Sequence, residues 1–322
     1  MQSVFHKNRI ITLLKEQGIV IAFIVLISSI ALVSDTFLTT ENMLLVLRQV
    51  SIIGIMAIAM TYVIIGGNFD LSVGSLLSLT TVLMVDLHDK VGPLGAIIIV
   101  LIVGLTIGCI NGLLIGFYSL NSLIVTLGML PVLQGITLIY SGGKNVIIQN
   151  PEATWFSIFG RGFILGIPVP VIIFLGMALI FGIVLTKTIY GRKLFAVGGN
   201  QIASMFAGIR SKSVIFSTFL ISSFATSIAG IIMASRVMSS QNNIGQGYEL
   251  TVIAAVILGG TSLLGGSGSI FKTVIGVLII GFVNNGLIML GFPYYTQWLV
   301  TWVIIISAVW IDLSSKRGHV FA

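Results

Sequence analysis

Long apolar stretches, broken by short polar or glycine-rich joints, run from one end of this chain to the other. A helix needs about 20 apolar residues, rising about 1.5 Å each, to cross the roughly 30 Å hydrocarbon core of a bilayer. That rule selects ten segments: 17–34, 44–66, 71–86, 93–117, 120–141, 163–186, 213–234, 249–265, 269–291 and 295–312. The joints at Gly116–Asn121 and Gly265–Ser269 are tight. Gly66-Gly67, Gly259-Gly260 and Gly265-Gly266 read as turns, kinks or close backbone contacts. Most of the 37 glycines read as helix packing, because small residues let backbones approach.

Composition sharpens this into one class. The chain is 57% hydrophobic and 8% charged, with a mean hydropathy of +1.15, so the expected fold is an all-α integral membrane domain spanning residues 1–322. The most polar stretches, 142–161, 187–212 and 235–248, are too short or too apolar to fold alone. The lone Cys109 sits in an apolar segment and forms no intrachain disulfide. Ser29-Ile30-Ala31, after a basic start, resembles a signal cleavage site. That first stretch is nevertheless long enough to span and runs straight into Asp35-Thr36-Phe37, so it reads as a retained helix.

The net charge of +7 matters through its distribution, and nucleic acid is not an expected partner. With the N-terminus inside and ten alternating spans, eleven basic residues fall inside, including Lys187, Arg192, Lys193, Arg210, Lys212 and Lys272. Five fall outside: Arg48, Lys90, Lys144, Arg161 and Arg236. This agrees with the positive-inside rule and places both termini in the cytoplasm.

A duplication lies across that topology. Asn68-Phe69-Asp70-Leu71-Ser72-Val73 returns as Gly247-Tyr248-Glu249-Leu250-Thr251-Val252, and Asn111–Phe117 is answered by Asn285–Phe292. The first motif opens its span from the inner side and the second from the outer, so spans two to five and seven to ten form an inverted repeat, with halves of about 44–141 and 213–312. Two short, glycine-flanked spans at matching positions, 71–86 and 249–265, point to a translocation pathway between the halves.

Asp70 and Glu249, with Ser72 beside the first, begin these spans. Their plain role is to offset the positive end of a helix and accept backbone N–H bonds. The sharper alternative is a gate or a polar contact on the path. Neither acid lies mid-span in this reading, so neither is expected to carry a proton. Asn111, Asn121, Thr126, Gln134, Asn284 and Asn285 place amides and hydroxyls in or beside spans four, five and nine. Such groups either hold helices together or line a path for a neutral, hydroxyl-rich solute, since they donate and accept without demanding a charge.

Gly266-Ser267-Gly268-Ser269-Ile270-Phe271-Lys272-Thr273 superficially suggests a phosphate loop. Phe271 stands where the required glycine should be, and no strand precedes it, so ATP binding by this chain is rejected. His6, His88 and His319 have no metal-ligand spacing, and no G-x-S-x-G occurs. The segment 187–212 is the most distinctive polar region. Gly191-Arg192-Lys193 leads to Gly198-Gly199-Asn200, where Asn200 suits a helix N-cap. Ile202, Met205, Phe206 and Ile209 then share one helical face. That face would lie on lipid headgroups or meet a partner protein. With charge only at its flanks, the partner is favoured.

Gly66-Gly67-Asn68-Phe69-Asp70-Leu71-Ser72-Val73-Gly74-Ser75, Gly191-Arg192 with Gly198-Gly199-Asn200, Gly247-Tyr248-Glu249-Leu250, and Leu258-Gly259-Gly260-Thr261-Ser262-Leu263 through Asn284-Asn285-Gly286-Leu287 together resemble the ribose-type monosaccharide permeases of bacterial ABC importers. That family is shared with branched-chain amino-acid permeases. The resemblance covers nearly the whole chain. It implies a multi-pass subunit of the cytoplasmic (inner) membrane, paired with a second permease, either the same chain or a paralogue. Two cytoplasmic ATPase subunits would hold the ATP and Mg, with no cofactor on this chain, and an extracytoplasmic sugar-binding protein would dock on the outer loops 142–161 and 235–248. It further implies that Gly198–Ile209 is received by the ATPase. Phe69 replaces the family's usual Ile, and Phe271-Lys272-Thr273 replaces a small, Gly-containing turn. The alternatives are the same importer class for a polyol or a sugar-like signalling molecule, an ion-coupled secondary carrier, and a purely structural membrane subunit.

Overall fold

The computed structural model describes residues 23–306, apart from 26, 33, 150, 152, 153, 294, 298, 301, 304 and 305. His6, His319 and the charges at Lys7, Arg9, Lys15, Lys316 and Arg317 lie outside the described residues, as do parts of the first and tenth expected spans. The regular structure of the described residues is helical but for two two-stranded ribbons. The main helices are α1 (Thr40–Ile65), α2 (Val73–Gly112, continued by a π turn at Leu113–Phe117), α3 (Ser122–Ser141), α4 (Ile158–Arg161), α5 (Val169–Lys187), α6 (Ile189–Gly199), α7 (Gln201–Phe206), α8 (Ser211–Val237), α9 (Tyr248–Leu258) and α10 (Ile270–Met289). Among the described residues six helical stretches are long and apolar enough to cross a membrane, and α9 is a shorter apolar helix.

Local chemistry sets many of the boundaries. Side chains of Thr39, Asn121, Thr188, Asn200 and Ser269 each accept from a backbone N–H in the first turn of the following helix. Gly142, at φ 60°, closes α3 in the left-handed conformation that glycine favours. The expected span 163–186 begins later, at Val169. Its first residues instead form the hairpin of β2 (Phe163–Ile164) and β3 (Ile167–Pro168), turning at Leu165 and Gly166 with positive φ. The expected span 249–265 stops at Leu258, because Gly260 takes φ 78°.

The apparent 40-residue helix α2 is two helices. Gly92 breaks it at φ 77°, ψ 160°, followed by Pro93. The contacts on α8 show that the break is a reversal. Asp70 and Thr81, before it, bond to Ser222 and to the carbonyl of Gly230, so the first arm runs parallel to α8. After it, Gly104 packs on Ser227, Gly108 on Ser223 and Gly116 on Lys212, so the second arm runs antiparallel. The two expected spans 71–86 and 93–117 are thus the arms of one hairpin.

Gly104, Gly108, Gly112 and Gly116 stand at four-residue intervals, one above another along the second arm. A Cβ at Gly108 would lie 2.9 Å from the Phe219 carbonyl oxygen, and one at Gly112 2.8 Å from that of Phe216. This is close backbone packing of the small-residue kind used between membrane helices, where apolar burial gives no net drive. A second antiparallel pair joins α1 to α10, through Thr61 with Thr273 at 2.9 Å at one end and Asn42 with Asn285 at the other. The largest apolar core lies among α1, α5, α8, α9 and α10.

Polar loops gather at the two ends of the bundle. At one, Gly266 N–H donates to the Ile65 carbonyl at 2.9 Å, and Gly198 packs against the same carbonyl. At the other, β1 (Val146–Ile147) pairs with β4 (Ser239–Ser240), tying the loops 142–161 and 235–248 together.

Candidate functional site

Asp70 ends the irregular segment between α1 and α2 and is fully buried. One carboxylate oxygen accepts from Ser72 N–H at 3.1 Å and Ser72 Oγ at 2.5 Å, and the other accepts from Ser222 Oγ at 2.8 Å. Ser72 Oγ in turn accepts from Asn111 Nδ2 at 3.1 Å. Ser222 is the twelfth of the 27 residues of α8, so the acid sits against the middle of a spanning helix. Irregular backbone at such depth persists only where protein satisfies it. Here Asn68 Nδ2 donates to the Gly66 carbonyl at 3.0 Å, and Ser122 Oγ accepts from Phe69 N–H at 3.2 Å.

Glu249 lies in the first turn of α9, and its Oε1 accepts from Gly247 N–H at 3.2 Å. Gly74, in the first turn of α2, packs directly on the Glu249 carboxylate and on the Gly245 carbonyl. Gly245 N–H donates to Ser78 Oγ at 2.9 Å. The starts of α2 and α9 therefore meet inside the bundle. Expecting Asp70 at the inner face and Glu249 at the outer is corrected: one helical turn of α2 separates Asp70 from the residue touching Glu249. The cause is the depth of the two irregular segments, 66–72 and 241–247, which enter the bundle before their helices begin.

A cavity of about 400 Å³ opens beside this junction. Its polar lining comes from Gln49 on α1, Gln246, Glu249 and Thr251 at the start of α9, Asn284 on α10, and Gln297. Tyr248, Ile53, Leu250 and Trp302 supply its apolar wall. Asn284 Oδ1 is shielded from solvent and has no hydrogen-bond partner among the described residues. Among the described residues no basic side chain lines the cavity, so it suits a neutral, hydrogen-bonding molecule.

A second surface lies at the end of the bundle carrying Gly198 and Gly266. Gly191 packs on the Leu185 carbonyl and is buried, whereas Arg192 is exposed. Asn200 accepts from Ala203 N–H at 2.9 Å and starts the six-residue α7. Gly266 approaches Gly199 so closely that a Cβ on it would lie 2.7 Å from Gly199 Cα. Ile202, Met205 and Phe206 project outward, Phe206 with 90% of its surface exposed. Behind them Tyr190 Oη shares a 2.7 Å hydrogen bond with Ser217. Burial raises the pKa of that phenol, an effect the bond to Ser217 opposes.

The profile of a family described as "Branched-chain amino acid transport system / permease component" matches residues 42–308. The chain belongs to that permease family. It is 38% identical to the ribose import permease RbsC of Haemophilus influenzae over 309 residues, covering 94% of this chain and 95% of that one. To RbsC of Escherichia coli K12 it is 40% identical over 301 residues, covering 93% and 94%. To the L-arabinose ABC transporter permease AraH of Azospirillum brasilense it is 36% identical over 305 residues, covering 93% and 88%. No solved structure is a significant match. The permease is a multi-pass membrane protein.

Within the permease, the residues singled out from sequence separate into groups. Glu249 and Asn284 meet at the cavity, together with Gln49, Gln246, Thr251 and Gln297, which sequence reasoning missed. Asp70, Ser72 and Asn111 form the buried network away from it, joined by Ser222, also missed. Asn285, adjacent to Asn284, instead makes a reciprocal amide pair with Asn42 at 2.9–3.0 Å. Exposed Asn121 caps α3 through Leu123 and Ile124 N–H. Buried Thr126 bonds the Ser122 carbonyl one turn back, and Gln134 holds the Asn242 carbonyl at 2.9 Å. None of these last four lines the cavity. Ile209 also departs from expectation: α7 ends at Phe206, and Ile209 turns inward to pack on the core instead of sharing the exposed face. The missed glutamines had one sequence signal, amide side chains set in or against apolar spans.

Proposed function

We propose that this permease forms the membrane path of an ATP-driven importer for a neutral monosaccharide, ribose or a similar sugar. The carrying observation is full-length similarity to RbsC and AraH, named as ribose import and L-arabinose permeases. The cavity at the start of α9 agrees with it, since its polar groups are amides, a hydroxyl and one carboxylate.

In this reading ten spans cross the cytoplasmic (inner) membrane with both termini in the cytoplasm. The reversal at Gly92 supports counting α2 as two of them. The halves are inverted repeats. Contacts of α8 with the second arm of α2, and of α1 with α10, pair the same positions of opposite halves and support the inversion. Two permeases, identical or paralogous, face one another, and an extracytoplasmic sugar-binding protein delivers solute through the loops tied by β1 and β4. Two cytoplasmic ATPases bind and hydrolyse ATP with Mg, while this chain performs no chemistry and holds no cofactor.

The ATPases act through Gly191–Phe206, with Ile202, Met205 and Phe206 as the contact. Gly198 and Gly199 pass the motion to the Ile65 and Gly265-Gly266 backbones against which they pack. Nucleotide drives the path only by favouring one of its two states over the other. Uptake by proteoliposomes holding the permease, its ATPases and the binding protein tests this. Labelled ribose should accumulate only with internal ATP. Uptake that persists without the ATPases and follows an ion gradient would replace it with the secondary-carrier reading.

A further inference from the structure

We propose that the cavity at the start of α9 is a recognition site for hydroxyl-bearing sugars within the permease itself, so that solute is selected again after its delivery. The inference rests on the importer reading and adds a specificity-determining step to it. Three observations carry it. The cavity, about 400 Å³, lies in the size range of small-molecule sites, and its lining combines the aromatic Trp302 and Tyr248 with amide, hydroxyl and carboxylate groups. Oε1 of Glu249 accepts from the backbone N–H of Gly247, and a carboxylate's remaining lone pairs leave acceptor capacity for sugar hydroxyls. Asn284 holds a buried amide oxygen without a protein partner among the described residues, an arrangement that costs free energy unless something else engages the amide.

The chemistry also defines what is refused. A carboxylate with no basic side chain beside it among the described lining residues repels phosphorylated and acidic sugars. A ligand lacking hydroxyls leaves Gln49, Glu249 and Asn284 desolvated and unpaired. The site therefore takes neutral monosaccharides, whose ring faces lie on the aromatic wall while their hydroxyls meet the amides and the acid.

The test uses full-length permease in lipid nanodiscs without ATPases or binding protein, probed with D-ribose by saturation-transfer NMR. Saturable binding in the millimolar range is expected, with D-ribose 5-phosphate at least ten times weaker. Asn284→Ala and the isosteric Glu249→Gln should each weaken D-ribose about tenfold, equivalent to about 1.4 kcal/mol. Unchanged elution profiles and melting temperatures would establish that the variants are folded, and the isosteric change keeps the test valid if the alanine variant does not fold. Absence of saturable binding, equal binding of the phosphate ester, or unaltered binding in the folded variants would overturn the proposal. ATP-dependent ribose uptake by the complete importer alongside any of those results would leave the importer reading standing. Failure of the complete importer to carry any neutral sugar would overturn that reading separately.

Discussion

Replacing Gly108 by alanine adds one methyl group where the second arm of α2 crosses α8. The new Cβ would lie 2.8 Å from Ser223 Cβ and 2.9 Å from both Ser223 Oγ and the Phe219 carbonyl oxygen. Comfortable carbon contacts begin near 3.5 Å, so the helices must separate by about 0.7 Å locally. Overpacking of this kind costs about 1–3 kcal/mol. Alanine returns up to about 1 kcal/mol by restricting the unfolded chain, leaving a net loss of about 0–3 kcal/mol. Gly135 on α3 and Gly176 on α5 have helical backbones and nothing within 4 Å of an added Cβ. Their alanine variants should gain up to about 1 kcal/mol. Melting of the three purified variants in one detergent, followed by loss of the monodisperse peak on size-exclusion chromatography, separates the signs. Gly108→Ala should melt below the parent and the other two at or above it. Equal shifts in all three would refute the packing argument.

Other consequences can be measured independently. Phe206→Asp should abolish ATP-dependent uptake while leaving membrane insertion and melting unchanged, because the side chain is 90% exposed and packs on nothing within the chain that its loss would disturb; normal uptake would remove α7 from the coupling surface. Asn285→Ala should destabilise by about 1–2 kcal/mol, since Asn42 loses both its amide partners on α10. The Asn42→Ala, Asn285→Ala double variant should lose less than the two single losses added together, and additivity in a double-mutant cycle would deny the pair. Ser222→Ala removes the hydroxyl that donates to one buried oxygen of Asp70 and should cost about 1–3 kcal/mol in the same melting assay; a neutral result would contradict a structural network around Asp70.

A helical membrane protein was legible because length and hydropathy alone determine whether a helix can cross a bilayer, and six such stretches stand among the described residues. Several of their ends were legible too: Asn200 and the Gly66-Gly67 and Gly259-Gly260 joints read correctly because capping and positive φ are local effects. The short helix after Asn200 followed from the same local signals, but the placement of Ile209 did not. Helical periodicity placed it with Phe206, whereas the turn at Gly208, with φ 80°, ended that periodicity one residue earlier.

Sequence by itself determined a helical membrane protein, and it showed a repeated motif and the polar residues set among its apolar spans. Only the tertiary structure decided how those residues are shared out. Asn284 and Asn285 are chemically identical neighbours, yet one lines a cavity and the other is spent joining two helices. A helix apolar on every side carries no periodic signal to separate its buried faces from its lipid-facing ones. The partner of a buried amide is fixed by residues more than two hundred positions away. The repeated acidic motif likewise announced two helix starts, but not that they meet. That follows from how deeply two irregular segments enter the bundle, where Gly74 leaves room for the carboxylate of Glu249.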